Sequence, residues 1–464
     1  MRSHEAGALH GQAGDRGPAW LRVPDDPDAL VDHLWSAGVA KSDGVLSVAG
    51  VEAPELAREF GTPLYVVDEA DFRARARAFA EAFAGVDVFY AAKAFLCVST
   101  ARWVAEEGLN LDVCTGGELA VALRAEFPPE RIGLHGNNKS VAELRRALEA
   151  GVGRIIVDSA EEIDRLAVLT EELGAPAHVM VRVTAGVEAH THEYISTSHE
   201  DQKFGFSIAD GAAMDAVRRI AAVPGLRLLG LHSHIGSQIF VTDGFEVAAR
   251  RVLRLHAQIA EEQGTAPPEL DLGGGFGIAY TTQDRPATPD DLARSLLKIV
   301  ADECAALGVD VPQLSIEPGR AIAGPSTFTL YEVGTTKDVR LDGDATRRYV
   351  SVDGGMSDNI RPALYSADYS CTLASRSSDG PAVLSRVVGK HCESGDIVVK
   401  DEYLPADVAA GDLLAVPGTG AYCRSLASNY NHVPRPAVVA VRDGEARLVV
   451  RREDEDDLLR LDLG

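Results

Sequence analysis

The stretch Val86–Ala94, VDVFYAAKA, sets the reading of this chain. It is a short apolar run with the length and residue types of a buried strand, and it ends abruptly on a lysine. Lys93 is therefore expected at the mouth of a sheet, where partial loss of hydration favours the neutral amine, the form that attacks a carbonyl. An amine so placed meets the first requirement for holding an aldehyde cofactor such as pyridoxal phosphate.

Outward from this strand a regular alternation appears. Candidate strands at 86–91, 109–113, 131–134, 154–157, 178–183, 228–232, 269–272 and 313–316 are separated by amphipathic helical stretches, among them 99–107, 117–127, 141–150, 160–173, 211–222, 244–263 and 289–306. About eight βα units in series predict a closed parallel (β/α)8 barrel rather than an open doubly wound sheet, and we assign it to residues 67–325. Past Pro325 the helical period stops. Strand-like runs at 349–352, 383–388, 397–399, 413–416, 437–441 and 446–450, broken by Gly, Asp and Pro turns, predict a mostly antiparallel β domain over 326–464. Residues 1–66 read as a polar N-terminal arm followed by a strand around Leu46, in DGVLSVAGV (43–51). That strand has no place in the barrel, so it is expected to join the β domain. A further strand at Leu64–Val67 leads through Asp68 into a helix.

Composition bounds the function. The 464 residues are 46% hydrophobic, ample for a core, and Lys+Arg 45 against Asp+Glu 70 gives a net charge of −25. So acidic a chain has no general basic surface for nucleic acid or an anionic membrane, and neither partner is expected. No apolar run approaches the roughly 18 residues of a membrane span, and the start of the chain lacks a signal-peptide pattern. The six cysteines are scattered without a CxxC spacing, so neither a disulfide framework nor a metal site is expected, and a reducing cytoplasm is.

The polar and glycine-rich residues follow the C-terminal ends of the strands: Lys93 after the first, Asp112 and Glu118 around the second, His135 and Asn138 after the third, Arg182 in the fifth, His234 and Ser237 after the sixth, Gly273–Gly275 after the seventh, Glu317 and Arg320 after the eighth. A barrel gathers all of these on its catalytic face. GGGFG at 273–277 is weak as a dinucleotide fingerprint, since no acidic residue closes a ribose site. Its better use is as a phosphate cradle, with a plain tight turn as the alternative. Ser237 and Arg320 would add a hydroxyl and a charged donor. Glu317, in SIEPGR, needs a partner at the barrel mouth. A pyridinium nitrogen supplies one, the alternative being a structural pair with Arg182 or Arg320. His234, beside the glycines, is read as stacking on a cofactor ring rather than as a core histidine.

FYAAKA, DVCTGGEL, HSHIGSQ, LDLGGGFG, IEPGR, DNIRPALY, HCESGD and GTGAYC together resemble the bacterial diaminopimelate decarboxylases, of the pyridoxal-phosphate group with an alanine-racemase-type barrel, from about Val51 to Arg452. The resemblance implies that Lys93 bonds the cofactor aldehyde and His234 stacks on the ring. Ser237, Gly273, Gly274, Gly275 and the turn Glu317–Pro318–Gly319–Arg320 hold the cofactor, with Glu317 at the pyridine nitrogen, and Tyr422 touches cofactor and substrate. Arg320, Arg361, Tyr365 and Glu393 bind substrate, and Cys392 protonates the carbon from which carbon dioxide has left. It also implies a head-to-tail homodimer in which HCESGD reaches the partner's barrel.

These roles suit a substrate with an amino-acid group at each end, meso-2,6-diaminopimelate, whose loss of carbon dioxide gives L-lysine in lysine biosynthesis. Its non-reacting end is a zwitterion, and Arg361 with Arg320 on one side and Glu393 on the other offer both signs of charge. An arginine there would repel a diamine end, so Arg361 decides the substrate unless it is a surface turn residue. Cys392, a thiol and so mostly protonated at neutral pH, can donate. By itself a cysteine in a β domain is more often a small buried apolar residue. The polar segment 184–206 is expected over the active face as a lid, or as a solvated loop. The alternatives are another basic amino acid decarboxylase of this fold, a racemase, or an inactive regulatory paralogue. The retained Lys93, Glu317 and Cys392 speak against the last.

Overall fold

The computed structural model describes residues 17–186, 203–234, 243–340 and 346–464, with the backbone alone at 243–245. Ser237 and most of the expected lid lie outside the described residues. The chain forms two compact units. One takes in the residues up to Phe72 with Ile278–Arg285 and Ile322–Gly464, the other Arg73–Gly277 with Pro286–Ala321.

In the first unit, β1 (Val39–Ser42), β2 (Val45–Val48) and β3 (Val51–Glu52) make a small antiparallel sheet. The stretch 43–51, which alternates like one strand, is broken in two. Asp43–Gly44 and Ala49–Gly50 both turn the chain with paired positive φ values, 50° and 76°, then 46° and 88°. Two-residue hairpin turns of that hand demand a flexible second residue, and glycine provides it in both. Leu46 and Val48 are buried against Leu34, Trp35 and Leu56, and Val45 bridges Ser375. β4 (Leu64–Asp68) is buried at every position.

The second unit is the barrel. Its strands are β5 (Asp87–Ala91), β6 (Asn110–Val113), β7 (Ile132–Leu134), β8 (Arg154–Val157) and β9 (Ala177–Thr184); after the short β10 (Phe206–Ser207) come β11 (Leu226–Ser233), β12 (Glu269–Asp271) and β13 (Gln313–Ile316). Leaving β10 aside, eight parallel strands close a ring through the β8–β9 and β13–β5 pairings, and β10 adds to the end of β9. Intervening helices start where a hydroxyl side chain satisfies a free backbone N–H: Thr115, Ser140, Ser159 and Thr288 each accept from the residue three positions on. Gly230 sits at a register shift between β11 and β9, where a Cβ would stand 2.0 Å from the Glu269 carbonyl oxygen. At the N-terminal end of the barrel Arg154 lies over the Phe89 ring at 4.4 Å and pairs with Glu269 at 3.0 Å, so the interior is filled and the opposite rim is left for chemistry.

The remaining strands belong to the first unit: β14 (Thr327–Arg340), β15 (Thr346–Val352), β16 (Thr372–Leu373), β17 (Ala382–Val388), β18 (Ile397–Pro405), β19 (Leu413–Pro417), β20 (Ala437–Arg442) and β21 (Glu445–Val450). The sheet order is β18-β17-β15-β14-β4-β20-β21, with β19 on β14 and β16 on β19. The N-terminal strand taken into this sheet is thus β4, antiparallel to β14 and parallel to β20. Its continuous Leu-Tyr-Val-Val pattern is that of a central strand covered on both faces.

One buried ion pair stiffens the barrel near β7 and β8. The Lys139 ammonium gives its three protons to Gly136 O (2.6 Å), Ile156 O (2.7 Å) and Glu162 Oε1 (2.7 Å). Burial nevertheless pushes the lysine pKa down and that of Glu162 up, more than their mutual attraction restores. Lys139→Met, which strands the carboxylate, should cost about 3–5 kcal/mol in urea unfolding. Lys139→Met with Glu162→Leu should recover most of that; a single variant as stable as the parent would contradict the pairing.

Candidate active site

Lys93 stands two residues beyond β5, in a turn held by hydrogen bonds of Ala92 N to Asp112 O (2.9 Å) and Ala94 N to Ala91 O (3.1 Å). Ala91 N also donates to Pro318 O at 3.2 Å, which brings the EPGR turn beside the lysine turn. Gly319 is required there, since a Cβ would lie 2.9 Å from both Ala91 Cβ and Ala91 O. Arg320 is buried in the same turn. The triple glycine follows β12. Gly273 has φ 69°, its N–H donates to Asp271 Oδ1 (2.8 Å), and its carbonyl accepts from Glu317 N (2.9 Å). A Cβ on Gly273 would meet Ser233 O at 2.4 Å, and one on Gly274 would meet Glu317 O at 2.2 Å. These glycines let three strand ends close on one another. Gly275 continues with φ 107°. Gly274 N donates to Nδ1 of His234 at 3.3 Å. That nitrogen is therefore unprotonated, in keeping with burial and the nearby Lys93 charge, which hold the imidazole well below its ordinary pKa.

Glu317 is at the centre of this set. Its Oε1 lies 2.9 Å from His232 Nε2 and 3.4 Å from His135 Nε2, and His135 Nε2 is 2.7 Å from Asp112 Oδ1. The two histidine rings cross edge to face at 5.0 Å. Burial alone would raise both carboxyls. For Glu317 the attraction and hydrogen bond of His232, with that of His135, outweigh burial and leave it well below the usual carboxylate range. For Asp112 burial prevails and the Glu317 charge adds to it, so its pKa rises well above normal despite Lys93. The environment thus pushes two neighbouring acids in opposite directions. Asp271, pushed up to about 6 by burial and by Glu317, is the third member. His135, His232 and Glu317 have the ligand types of a metal site, yet Glu317 and His232 already hydrogen-bond each other at 2.9 Å and the two imidazoles pack edge to face.

Arg182, one of the two arginines weighed as an alternative partner for Glu317, instead lies 3.9 Å from Asp158 and over the Phe204 ring, and the carboxylate's ion-pair contacts among the described residues are His232 and His135. His232 went unrecognised, although its spacing of two from His234 on one strand face was a usable signal.

The β unit carries the other residues singled out from the sequence. Arg361 opens a short helix, Arg361–Tyr365, and is 6% exposed rather than on the surface. Its side-chain contacts are a hydrogen bond from Nη1 to Tyr369 Oη (2.5 Å) and the faces of Tyr280 and Tyr369. Tyr365 is half-buried at the end of this helix. Tyr422 is held at φ 64°, a left-handed conformation that a bulky residue adopts only when its surroundings impose it. Cys392 is exposed and Glu393 half-buried on the loop between β17 and β18. Neighbours in HCESGD fix that loop. His391 bonds Ser357 Oγ (2.9 Å) and Asn431 Oδ1 (3.1 Å), while Asp396 accepts from the backbone of Met356 (2.6 Å) and His391 (2.7 Å). Gly355 and Gly389 leave room for the Asp396 carboxylate, which a Cβ on either would approach to 2.5 and 2.3 Å.

A lysine at a barrel strand end, a buried ionised carboxylate, a half-buried imidazole and a glycine turn define the class, a pyridoxal-phosphate enzyme of the barrel type. The family described as pyridoxal-dependent decarboxylase, pyridoxal binding domain, matches residues 69–324. The diaminopimelate decarboxylase of Mycobacterium tuberculosis H37Rv is 60% identical over 440 residues, 94% of this chain and 98% of that one. That of Bacillus subtilis 168 is 47% identical, over 90% and 95%. Among solved structures, diaminopimelate decarboxylase from M. jannaschii in complex with L-lysine superimposes with a TM-score of 0.86 at 32% identity, covering 92% of this chain and 98% of that one. The chain belongs to the diaminopimelate decarboxylase family.

The acid network makes a prediction. Burial holds His135 down at about 3 against an ordinary 6.5, so between these values the unfolded chain binds a proton that the folded one refuses. Stability from this residue is complete above about pH 6.5 and is lost as the pH falls toward 3. In chemical unfolding the parent should lose about 1 kcal/mol more than His135→Asn between pH 6 and pH 5. Equal losses would contradict the assignment.

Proposed function

We propose that this chain decarboxylates meso-2,6-diaminopimelate to L-lysine and carbon dioxide with pyridoxal phosphate, in the cytoplasm, as a homodimer. The observation that carries the choice of substrate is Arg361: a buried guanidinium with no carboxylate partner among the described residues calls for one from a ligand. A diamine end would be repelled there; the carboxylate of a second amino-acid group answers it. No described helix is long and apolar enough to cross a membrane.

The residues present fit the cofactor. The Lys93 amine would take its aldehyde, Glu317 would meet the ring nitrogen, the neutral imidazole of His234 would cover the ring, and the Gly273–Gly275 and Glu317–Arg320 turns would hold the phosphate side, to which the sequence resemblance adds Ser237. When bound, the cofactor draws off the electron pair left at Cα by the departing carbon dioxide. The chain's own residues do the remainder. Glu317 would keep a proton on the ring nitrogen, beside an Asp112 whose pKa burial pushes up toward the neutral acid. Arg320 and Tyr422 contact the reacting end, while Arg361, Tyr365 and Glu393 orient the distant end. Cys392 gives its proton to Cα. Cys392 and Glu393 of one subunit serve the barrel of its partner, and the exposure of Cys392 on a braced loop supports that reading.

The purified chain with pyridoxal phosphate should release carbon dioxide from diaminopimelate, and not from ornithine or arginine. Cys392→Ala should cut turnover by about 10²–10⁴-fold with cofactor still bound. Lys93→Ala and Cys392→Ala chains, each inactive, should regain about a quarter of parental activity when mixed and re-assembled, because half the dimers then hold one intact site. No recovery in verified heterodimers would show that each subunit supplies its own cysteine.

A further inference from the structure

We propose that Tyr369 is the positioning residue that turns Arg361 toward the substrate, backed by Cys423 and Asn359 and faced by Tyr280; this rests on the reading that Arg361 receives the distant carboxylate. Arg361 is an unusual arginine. It is buried, its guanidinium lies 4.6 Å from the Tyr280 ring centre and 5.6 Å from that of Tyr369, and among the described residues its one side-chain hydrogen bond runs from Nη1 to the Tyr369 hydroxyl. Its Nε is buried and has no partner among them. With Nη1 tied to the phenol, the Nε–Nη2 edge is the side that carries no hydrogen bond from the described residues. That edge is one of the two that match a carboxylate with parallel N–H donors.

The phenol is fixed in turn. Burial holds its pKa well above normal, so it stays neutral, with one proton to give while it accepts from Arg361. Cys423 Sγ is 3.6 Å from the phenol oxygen and donates to Asn359 Oδ1 at 3.5 Å, with Ala421 O farther at 3.8 Å. An oxygen acceptor in that amide leaves the sulfur's single proton committed, so the hydroxyl donates to the sulfur. Asn359 Oδ1 also accepts the backbone N–H of Arg361 at 3.4 Å, which fixes the amide orientation. The result is a closed circuit, from guanidinium to phenol to thiol to amide and back to the residue that bears the guanidinium. Tyr280 and Tyr369, crossed at 73° with centres 5.0 Å apart, brace the flat faces.

Tyr369→Phe removes the hydroxyl and keeps the ring. The KM for diaminopimelate should rise about tenfold, the effect of one charge-assisted hydrogen bond, while kcat changes much less. General damage to the fold would not discriminate between ligands, so inhibition provides the sharper reading. The inhibition constant of L-lysine, which keeps the distant carboxylate, should rise in step with KM, and that of cadaverine, which lacks it, should stay put. Cys423→Ala, which frees the phenol without touching Arg361, should give a smaller shift in the same direction and serves if Tyr369→Phe does not fold. Arg361→Lys is the reference. If it raises the KM and the lysine constant but neither Tyr369→Phe nor Cys423→Ala does, the positioning role is overturned and the assignment of Arg361 stands; if Arg361→Lys changes neither, both fall.

Discussion

A carboxylate must stay ionised inside a barrel whose interior penalises charge, and the site is arranged around that demand. Among the described residues the ion-pair contacts of Glu317 are with the imidazoles of His232 and His135. A strong cationic partner would hold the charge more cheaply, but it would also occupy the carboxylate. Histidines stabilise the anion and leave it able to meet a second, ring-borne N–H. The neighbours register the same surroundings: burial, with the Glu317 charge added, raises Asp112 and Asp271, while burial holds His135 down against the pull of Glu317.

The same economy of charge governs the β unit, with the sign reversed. Arg361 is buried beside tyrosines, a thiol and an amide, none of which neutralises it. Among the described residues, one site thus holds an anion contacted by imidazoles and the other a cation contacted by tyrosines. Ligand groups of the opposite sign, a pyridinium and a carboxylate, are what such surroundings select.

Much of this was legible in the sequence. The barrel followed from period: βα units in series, with Lys93, the glycines and Glu317 each just beyond a strand, allow few other closures. The β domain followed from the change of period past Pro325. What escaped detection depends on groups distant in sequence. The Asp43–Gly44 and Ala49–Gly50 turns interrupt an apolar alternation that continues through them, so two hairpins looked like one strand. β4 reads equally well as a barrel strand, and only its pairing with β14 and β20 assigns it. The partners of Glu317 could not be read from charge, since Arg182, which looked available, is engaged with Asp158 and Phe204. Nor could the circuit around Arg361 be read: Asn359 and Cys423 lie within DNIRPALY and GTGAYC, but nothing in those motifs pairs them, and Tyr280 and Tyr369, outside any motif, join them only when the unit has folded.

The most direct test of this account is the protonation of the cofactor ring. In enzyme reconstituted with pyridoxal phosphate labelled with nitrogen-15 in the ring, the nitrogen resonance reports whether that atom carries a proton. An ionised Glu317 predicts a protonated nitrogen that shows no titration from about pH 6 to about pH 9 and loses its proton in Glu317→Gln. An unprotonated nitrogen in the parent enzyme, or one indifferent to the substitution, would contradict it.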